Sequence, residues 1–411
     1  MGQVLAKAVR AVRRDGVQGL SAAGRRWLNR QLGPEPEELF ILPRDVIVDP
    51  PVLPPALAVA PGSTLRVGWL LTPPGKGSGG HTTIFRMVEA LERSGHECVI
   101  WVYDGQGGPK RDFEPLIRQW WPGVRAHVRD VSEATANVDA IVATAWQTAH
   151  VASMMANAAR RFYFVQDYEP WFTGQGVASD LARRTYGFGF ETLTVGAALA
   201  DVLRRLHGIE ATPIPFGCDH AVYSADAHSD RDSVVFYARP GVARRGYELG
   251  IQALEAFHRA RPTVGIDVVG QLAGKPAFPC RVHRTLRPAE LNDLYRRARA
   301  GLVLSYTNVS LVPFELLAAG VVPVMNDLEL CRSEVDGRFA VWAAPAAKAM
   351  AEALAAGFDL QRAAGAEAVA ASSAAHDWAR SGASFVGAIE AACSRSRGAL
   401  DAAWMGSDAD G

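Results

Sequence analysis

The sequence predicts an α/β protein built from two doubly wound parallel sheets in tandem. Three observations carry that expectation. The chain has 411 residues, too many for one ordinary core. Strand-like and helix-like segments alternate in two successive series, the pattern of parallel sheets with helices on both faces. Residues 305–324 then join a polar loop, a helix start, one acid and a buried strand within twenty residues.

Composition agrees. Hydrophobic residues make up 49% and charged residues 21% of the chain, the usual mix of a soluble α/β enzyme. The 43 Lys and Arg balance the 43 Asp and Glu, so no global field draws in nucleic acid, and none is expected as a partner. Cys98, Cys218, Cys280, Cys331 and Cys393 are scattered without paired or metal-like spacing, which fits a reducing cytoplasm. No apolar run approaches the roughly 20 residues that span a bilayer, and the N-terminus lacks the apolar core of a signal peptide.

Residues 1–32 carry seven Lys or Arg against the single acid Asp15. On a helical wheel Leu5, Val9 and Val12 share one face and Lys7, Arg10 and Arg14 the opposite one. Such a helix either lies on an anionic membrane surface or packs on its own protein. A Pro-rich linker follows, and residues 1–62 are read together as an extension. The first sheet domain spans 63–222, with strands expected at 65–71, 97–103, 139–144, 161–165 and 192–195 and a first helix at about 81–93. The second spans 223–374, with strands at 234–238, 265–270, 300–304, 321–325 and 339–342. A helix at about 375–398 completes the first domain, and 399–411 reads as a flexible tail. Ligands of open α/β sheets bind at the carboxyl ends of strands, so the cleft between two such sheets is the expected site.

Four segments carry candidate chemistry. Gly75-Lys-Gly-Ser-Gly-Gly-His81 follows the first strand and opens the first helix; Gly79 and Gly80 let backbone approach a ligand, and a helix start favours an anion or polar oxygens. Val165-Gln-Asp-Tyr-Glu-Pro-Trp171 sets Asp167 and Glu169 just past a strand, where they orient an acceptor hydroxyl or stabilise charge on a reacting sugar carbon. Tyr168, Trp171 and Phe172 offer faces to sugars, and the acids have the plainer alternatives of helix cap or ion-pair partner. Arg239-Pro-Gly-Val-Ala-Arg-Arg-Gly246 puts three guanidiniums, Arg239, Arg244 and Arg245, around a strand-end loop suited to a diphosphate. In the fourth segment Ser310 reads as a helix N-cap and Pro313 as a first-turn residue, with free amides facing an anion-sized space. Glu315, one turn on, is placed for sugar hydroxyls. Asp408-Ala-Asp410 falls in the tail, so no metal site is expected.

Taken together these segments resemble the GT-B fold glycosyltransferases, and within them glycosyltransferase family 4. The likeness covers most of residues 65–390 and includes Gly95-His96, the arginine loop, Glu290-Leu-Asn-Asp-Leu-Tyr295, Phe314-Glu-Leu-Leu-Ala-Ala-Gly-Val-Val-Pro-Val324 and His376-Asp-Trp378, which looks like the last helix crossing back to the first domain. More narrowly, Gly77-Ser-Gly-Gly-His-Thr-Thr-Ile-Phe85, Val165-Gln-Asp-Tyr-Glu-Pro170, Phe236-Tyr-Ala-Arg-Pro240 and Ser305-Tyr-Thr-Asn-Val-Ser-Leu311 are similar to the bacterial rhamnosyltransferase branch of surface glycan assembly.

The resemblance implies two Rossmann-like domains facing across a cleft. It implies transfer of a sugar, L-rhamnose from dTDP-L-rhamnose, to a glycan or lipid-linked glycan hydroxyl, with retention and without metal or other cofactor. Asp167, Arg239 and Arg244 are then catalytic. Gly79, Gly80, Arg239, Arg244, Arg245, Thr307, Asn308, Val309, Ser310, Leu311 and Glu315 bind the donor. His81, Gln166, Tyr168, Glu169 and Trp171 bind the acceptor. Two departures stand out. The family commonly has a second glutamate eight positions before the one matching Glu315, and that position is Thr307. The arginine loop is one residue longer than usual, which leaves open whether Arg244 or Arg245 reaches phosphate. A UDP- or GDP-sugar donor, a sugar-nucleotide epimerase and a catalytically silent nucleotide-sugar or glycan-binding module remain as alternatives. The implied location is the cytoplasm, at the inner membrane face if residues 1–32 bind lipid.

Overall fold

The computed structural model describes residues 40–47, 49, 51–106, 110–335, 337–396 and 400–401. The expected basic helix at 1–32 and Asp408 and Asp410 lie outside them. Two all-parallel sheets account for most strands. The first has the order β4-β3-β2-β5-β6-β7-β8, formed by β2 (Arg66–Leu71), β3 (Glu97–Val102), β4 (His127–Asp130), β5 (Val138–Ala143), β6 (Ala158–Val165), β7 (Glu191–Val195) and β8 (Thr212–Ile214). The second has the order β11-β10-β9-β12-β13-β14, from β9 (Ser233–Ala238), β10 (Gly265–Gly270), β11 (Arg281–His283), β12 (Ala298–Val303), β13 (Val322–Asn326) and β14 (Val341–Ala343). A short antiparallel pair joins β1 (Val52–Leu53) to β15 (Leu400–Asp401), so two residues of the segment expected to be a free tail are strand-paired.

Each sheet starts in its middle, winds to one edge, then crosses back to wind to the other. That reversal leaves a crevice at the carboxyl ends of β2 and β5 in one sheet and of β9 and β12 in the other. The central strands read as continuous apolar runs because helices cover both faces; Val67, Trp69, Leu70 and Leu71 of β2 are all fully buried. The described residues other than Ala273–Lys275 form one body.

The helix Trp378–Cys393 packs against the helix Gly79–Arg93 of the first sheet domain. Asp377 caps it by accepting from the Ala379 amide at 3.0 Å. Gly382 is what permits the approach, since a Cβ there would stand 2.7 Å from that of Ala90. Phe385 stacks on Trp69 with ring centroids 5.4 Å apart, and His96 Nε2 meets Glu390 at 3.1 Å. The Pro-rich segment is held along the same domain. Leu42 donates its amide to the Tyr103 hydroxyl, which donates to Asp45, and the Ile47 amide donates to His150 Nδ1.

Candidate functional site

A cavity of about 520 Å³ opens where the carboxyl ends of both sheets meet. It takes its walls from the loops after β2, β5 and β6 on one side and after β9 and β12 on the other. Gly79, Gly80, His81, Gln166, Asp167, Glu169, Arg239, Arg244, Arg245, Val309, Ser310, Leu311 and Glu315 line it. Thr307, Asn308, Tyr168 and Trp171 do not.

On the first domain's side the helix Gly79–Arg93 begins at the cavity, capped by Ser78, whose Oγ accepts from the His81 amide. The Gly79 and Gly80 amides precede any intrahelical acceptor and are free for a ligand. Added Cβ atoms there would meet only Leu311 at 3.9 Å and the Gln166 side chain at 3.6 Å, so the glycines leave room toward the cavity. His81 Nε2 donates to the Thr72 carbonyl at 3.1 Å, which fixes the tautomer, and Nδ1 accepts from Ser78. Burial holds its pKa below the usual histidine value, so the ring is neutral.

The two acids after β6 have different surroundings. Asp167 is buried at 7% exposure, and both its oxygens are engaged. Oδ1 accepts from the Tyr168 and Asn308 amides, each at 2.9 Å, and Oδ2 accepts from Thr307 Oγ1 at 2.9 Å. Arg244 Nε lies 3.6 Å from Oδ2. Burial pushes the Asp167 carboxyl up, against the opposing pull of Arg245, the Asn308 amide, Arg244 and Thr307. Asp167 is thus a cross-domain tie that also lines the cavity. Glu169 accepts through Oε2 from the Trp146 amide at 2.5 Å and the Tyr163 hydroxyl at 2.8 Å; Oε1 takes no hydrogen bond among the described residues. Burial raises it to about 7, with Tyr163 and the Trp146 amide opposing the rise.

The other side supplies positive charge. Arg245 is half-buried and donates to Ser305 Oγ at 2.6 Å and the Asn308 carbonyl at 3.4 Å; desolvation lowers its pKa to about 10. Arg244 lies over the Phe172 ring at 3.9 Å. Arg239 is exposed at the cavity edge, 5.4 Å from the Tyr237 ring, and makes no hydrogen bond or ion pair among the described residues. Gly246 turns this loop into the helix Tyr247–Ala260 at φ 57°, the left-handed region where glycine carries no Cβ penalty. Glu315 is raised to about 7 by burial, with the Tyr223 and Tyr295 hydroxyls pulling it down.

Several sequence expectations are corrected. Ser310 is not the helix cap: the helix is Val312–Ala318, its N-cap is Leu311, and Ser310 instead lines the cavity. The Asn308 amide and the Thr307 hydroxyl, expected at the donor, are spent on Asp167; the Asn308 side chain donates to the Gln166 and Val195 carbonyls at 2.8 and 3.0 Å. Tyr168, expected at the acceptor, is buried against Tyr186 with its hydroxyl 2.8 Å from His207 Nε2. Trp171, 45% exposed, packs edge-on against Tyr168 outside the cavity. Sequence adjacency to Asp167 suggested both, yet the short helical turn Glu169–Trp171 carries them away.

Other lining residues went unread. Arg86 meets Asp219 at 2.6 Å and Glu89 at 3.1 Å. A signal existed for it, because Gly79, Thr83 and Arg86 recur at helical spacing on one face. Trp120, Tyr223, Tyr237 and Leu286 come from loops or element ends whose local sequence carries no comparable pattern.

Comparisons with known proteins fit this architecture. Residues 232–355, from β9 into the helix Ala347–Ala364, match the family described as WsaF, C-terminal domain. A 291-residue stretch, 67% of the chain, is 33% identical to the O-antigen biosynthesis protein RfbC of Myxococcus xanthus, and the chain spans 23% of that protein's length. Among solved structures, Anabaena HepE in complex with UDP-glucose is similar at a TM-score of 0.63, 14% identity, 80% of this chain and 100% of that one. TarM is similar at 0.58 and 8% identity, over 80% and 97%. The fold is therefore the GT-B arrangement, two Rossmann-like domains facing across a cleft.

Proposed function

We propose that the protein is a glycosyltransferase of O-antigen or related polysaccharide assembly, moving a sugar from a nucleotide donor to a glycan hydroxyl. The observation that carries this is Arg239, whose guanidinium makes no hydrogen bond or ion pair among the described residues, at the edge of a cavity that also holds Arg244, Arg245 and the half-buried Glu315. An uncommitted cation is placed to receive an anion. A nucleoside diphosphate gains negative charge as the bond to the sugar breaks, and fixed guanidiniums stabilise that charge in the transition state. Glu315, beside two tyrosines, suits ribose hydroxyls. The complex of HepE with UDP-glucose and the O-antigen role in the RfbC name support a nucleotide-sugar donor and a polysaccharide product.

The finer reading is L-rhamnose from dTDP-L-rhamnose, transferred with retention and with arginines in place of a metal or other cofactor. It rests on the motif resemblance above. Glu169 Oε1 is the free carboxylate oxygen of the pair after β6 and orients the acceptor hydroxyl. The enzyme works in the cytoplasm, and residues 1–32 bring it to the anionic inner membrane face where lipid-linked acceptors lie. Among the described residues no helix is long and apolar enough to cross a membrane. A panel of dTDP-, UDP- and GDP-sugars, assayed for nucleoside diphosphate release with and without a lipid-linked glycan acceptor, tests the reading. Acceptor-dependent release from dTDP-L-rhamnose is expected; binding without release, or epimerised donor, overturns it.

A further inference from the structure

We infer that Trp120 is the platform on which the acceptor's terminal sugar stacks, an inference that rests on the glycosyltransferase reading and assigns the carbohydrate side of the same cavity. The indole closes the helix Glu114–Trp120 and is half-buried in the cavity wall. Among the described residues its ring pairs with no other ring or cation, and its Nε1–H has no hydrogen-bond partner. The buried neighbour Trp121 does find such a partner, as buried indoles ordinarily do. Trp121 Nε1 donates to Thr82 Oγ1 at 3.0 Å, and its ring meets Phe85 at 4.6 Å. Both rings pack on the core, but only Trp120 leaves its indole N–H without a protein partner among the described residues.

The surroundings suit a monosaccharide. The edge of the Trp120 ring approaches the glycine loop, where a Cβ on Gly77 would stand 3.7 Å from Cζ3. That loop leads into the free amides of Gly79 and Gly80, and the side chain of Gln166, which has no hydrogen-bond partner among the described residues, lies beside Gly80. An aromatic face next to a row of amide donors and acceptors fits a pyranose, whose C–H face is apolar and whose rim is hydroxyl. Nothing in this wall is cationic except Arg86, and Arg86 is neutralised by Asp219 and Glu89. The side chains of this wall thus carry no unpaired charge, and the Gly79 and Gly80 amides can donate to sugar oxygens as well as to the donor, while the arginine loop across the cavity takes the diphosphate.

Steady-state kinetics with varied acceptor and a thermal-shift titration of donor test this. Trp120→Ala should raise the acceptor KM at least tenfold, leave kcat within about threefold, and leave the donor-induced shift unchanged. Trp120→Phe, which keeps a stacking face, should recover most of the loss, and Trp171→Ala should leave the acceptor KM as it is. Wild-type acceptor KM in a folded Trp120→Ala, or an effect equal to that of Trp171→Ala, overturns the inference. Absence of turnover with any nucleotide sugar in the wild-type protein would instead overturn the glycosyltransferase reading.

Discussion

Thr307 Oγ1 donates to Asp167 Oδ2 at 2.9 Å, tying the loop after β12 in one domain to the end of β6 in the other. The adjacent Asn308 amide does the same for Oδ1. A glutamate at 307 would bring a second carboxylate against Asp167 in a buried place, so Thr307 and Asp167 are matched. Asp167→Ala strands the Thr307 hydroxyl and the Asn308 amide and should cost about 3 kcal/mol in urea unfolding. Asp167→Asn retains an acceptor and should cost about 1 kcal/mol. Thr307→Glu should reduce sugar transfer more than tenfold. Equal urea midpoints for wild type and Asp167→Ala would show that the cross-domain tie contributes nothing.

Arg239 invests little in the fold, since its guanidinium faces the Tyr237 ring from solvent and makes no hydrogen bond or ion pair among the described residues. Arg239→Ala should therefore leave the melting temperature within about 1 °C and lower transfer by about 100-fold, the order expected when one transition-state donor is removed. Arg245→Ala is the contrast, because its contacts to Ser305 and Asn308 hold the loop, and it should lose stability as well as activity. Wild-type turnover in Arg239→Ala would remove this residue from the site.

Glu315 titrates near 7 in the folded protein against 4.5 as its ordinary value. Between these pH values the folded state binds more protons at this group than the unfolded state does. Stability from this group is accordingly full below about pH 4.5 and falls as pH rises toward 7, by a few kcal/mol at most. Glu169, also near 7, adds a slope of the same sign. Chemical unfolding from pH 5 to 8 should show the decline, and Glu315→Gln should flatten part of it. An unchanged slope in that variant would mean the carboxyl is already ionised at pH 5.

The central strands were legible because burial on both faces makes them continuous apolar runs, as in β2 and β9. The edges were not. His127–Asp130 in β4, Thr212-Pro213-Ile214 in β8 and Arg281-Val282-His283 in β11 all close a sheet, and edge strands carry charge and proline against unwanted pairing. The site divides in the same way. Glycines and arginines at strand ends announced their wall of the cavity, because backbone geometry and charge are local properties of sequence. The roles of Asp167, Thr307 and Asn308 depend on which domain faces which, and no local pattern records that. Trp171 and Trp120 were exchanged for the same reason: proximity in sequence favoured the first, and the fold brings the second to the cavity.

The packing of Trp378–Cys393 on Gly79–Arg93 has an implication for biogenesis. Translation delivers the first lobe's strands early and its closing helix only after residue 393 has left the ribosome. Until then Ala90 and Trp69 lack their covers, while the later-made second lobe already has every strand it needs. The first lobe therefore cannot complete its packing until residue 393 has been made, whereas the strands of the second lobe are complete by Ala343.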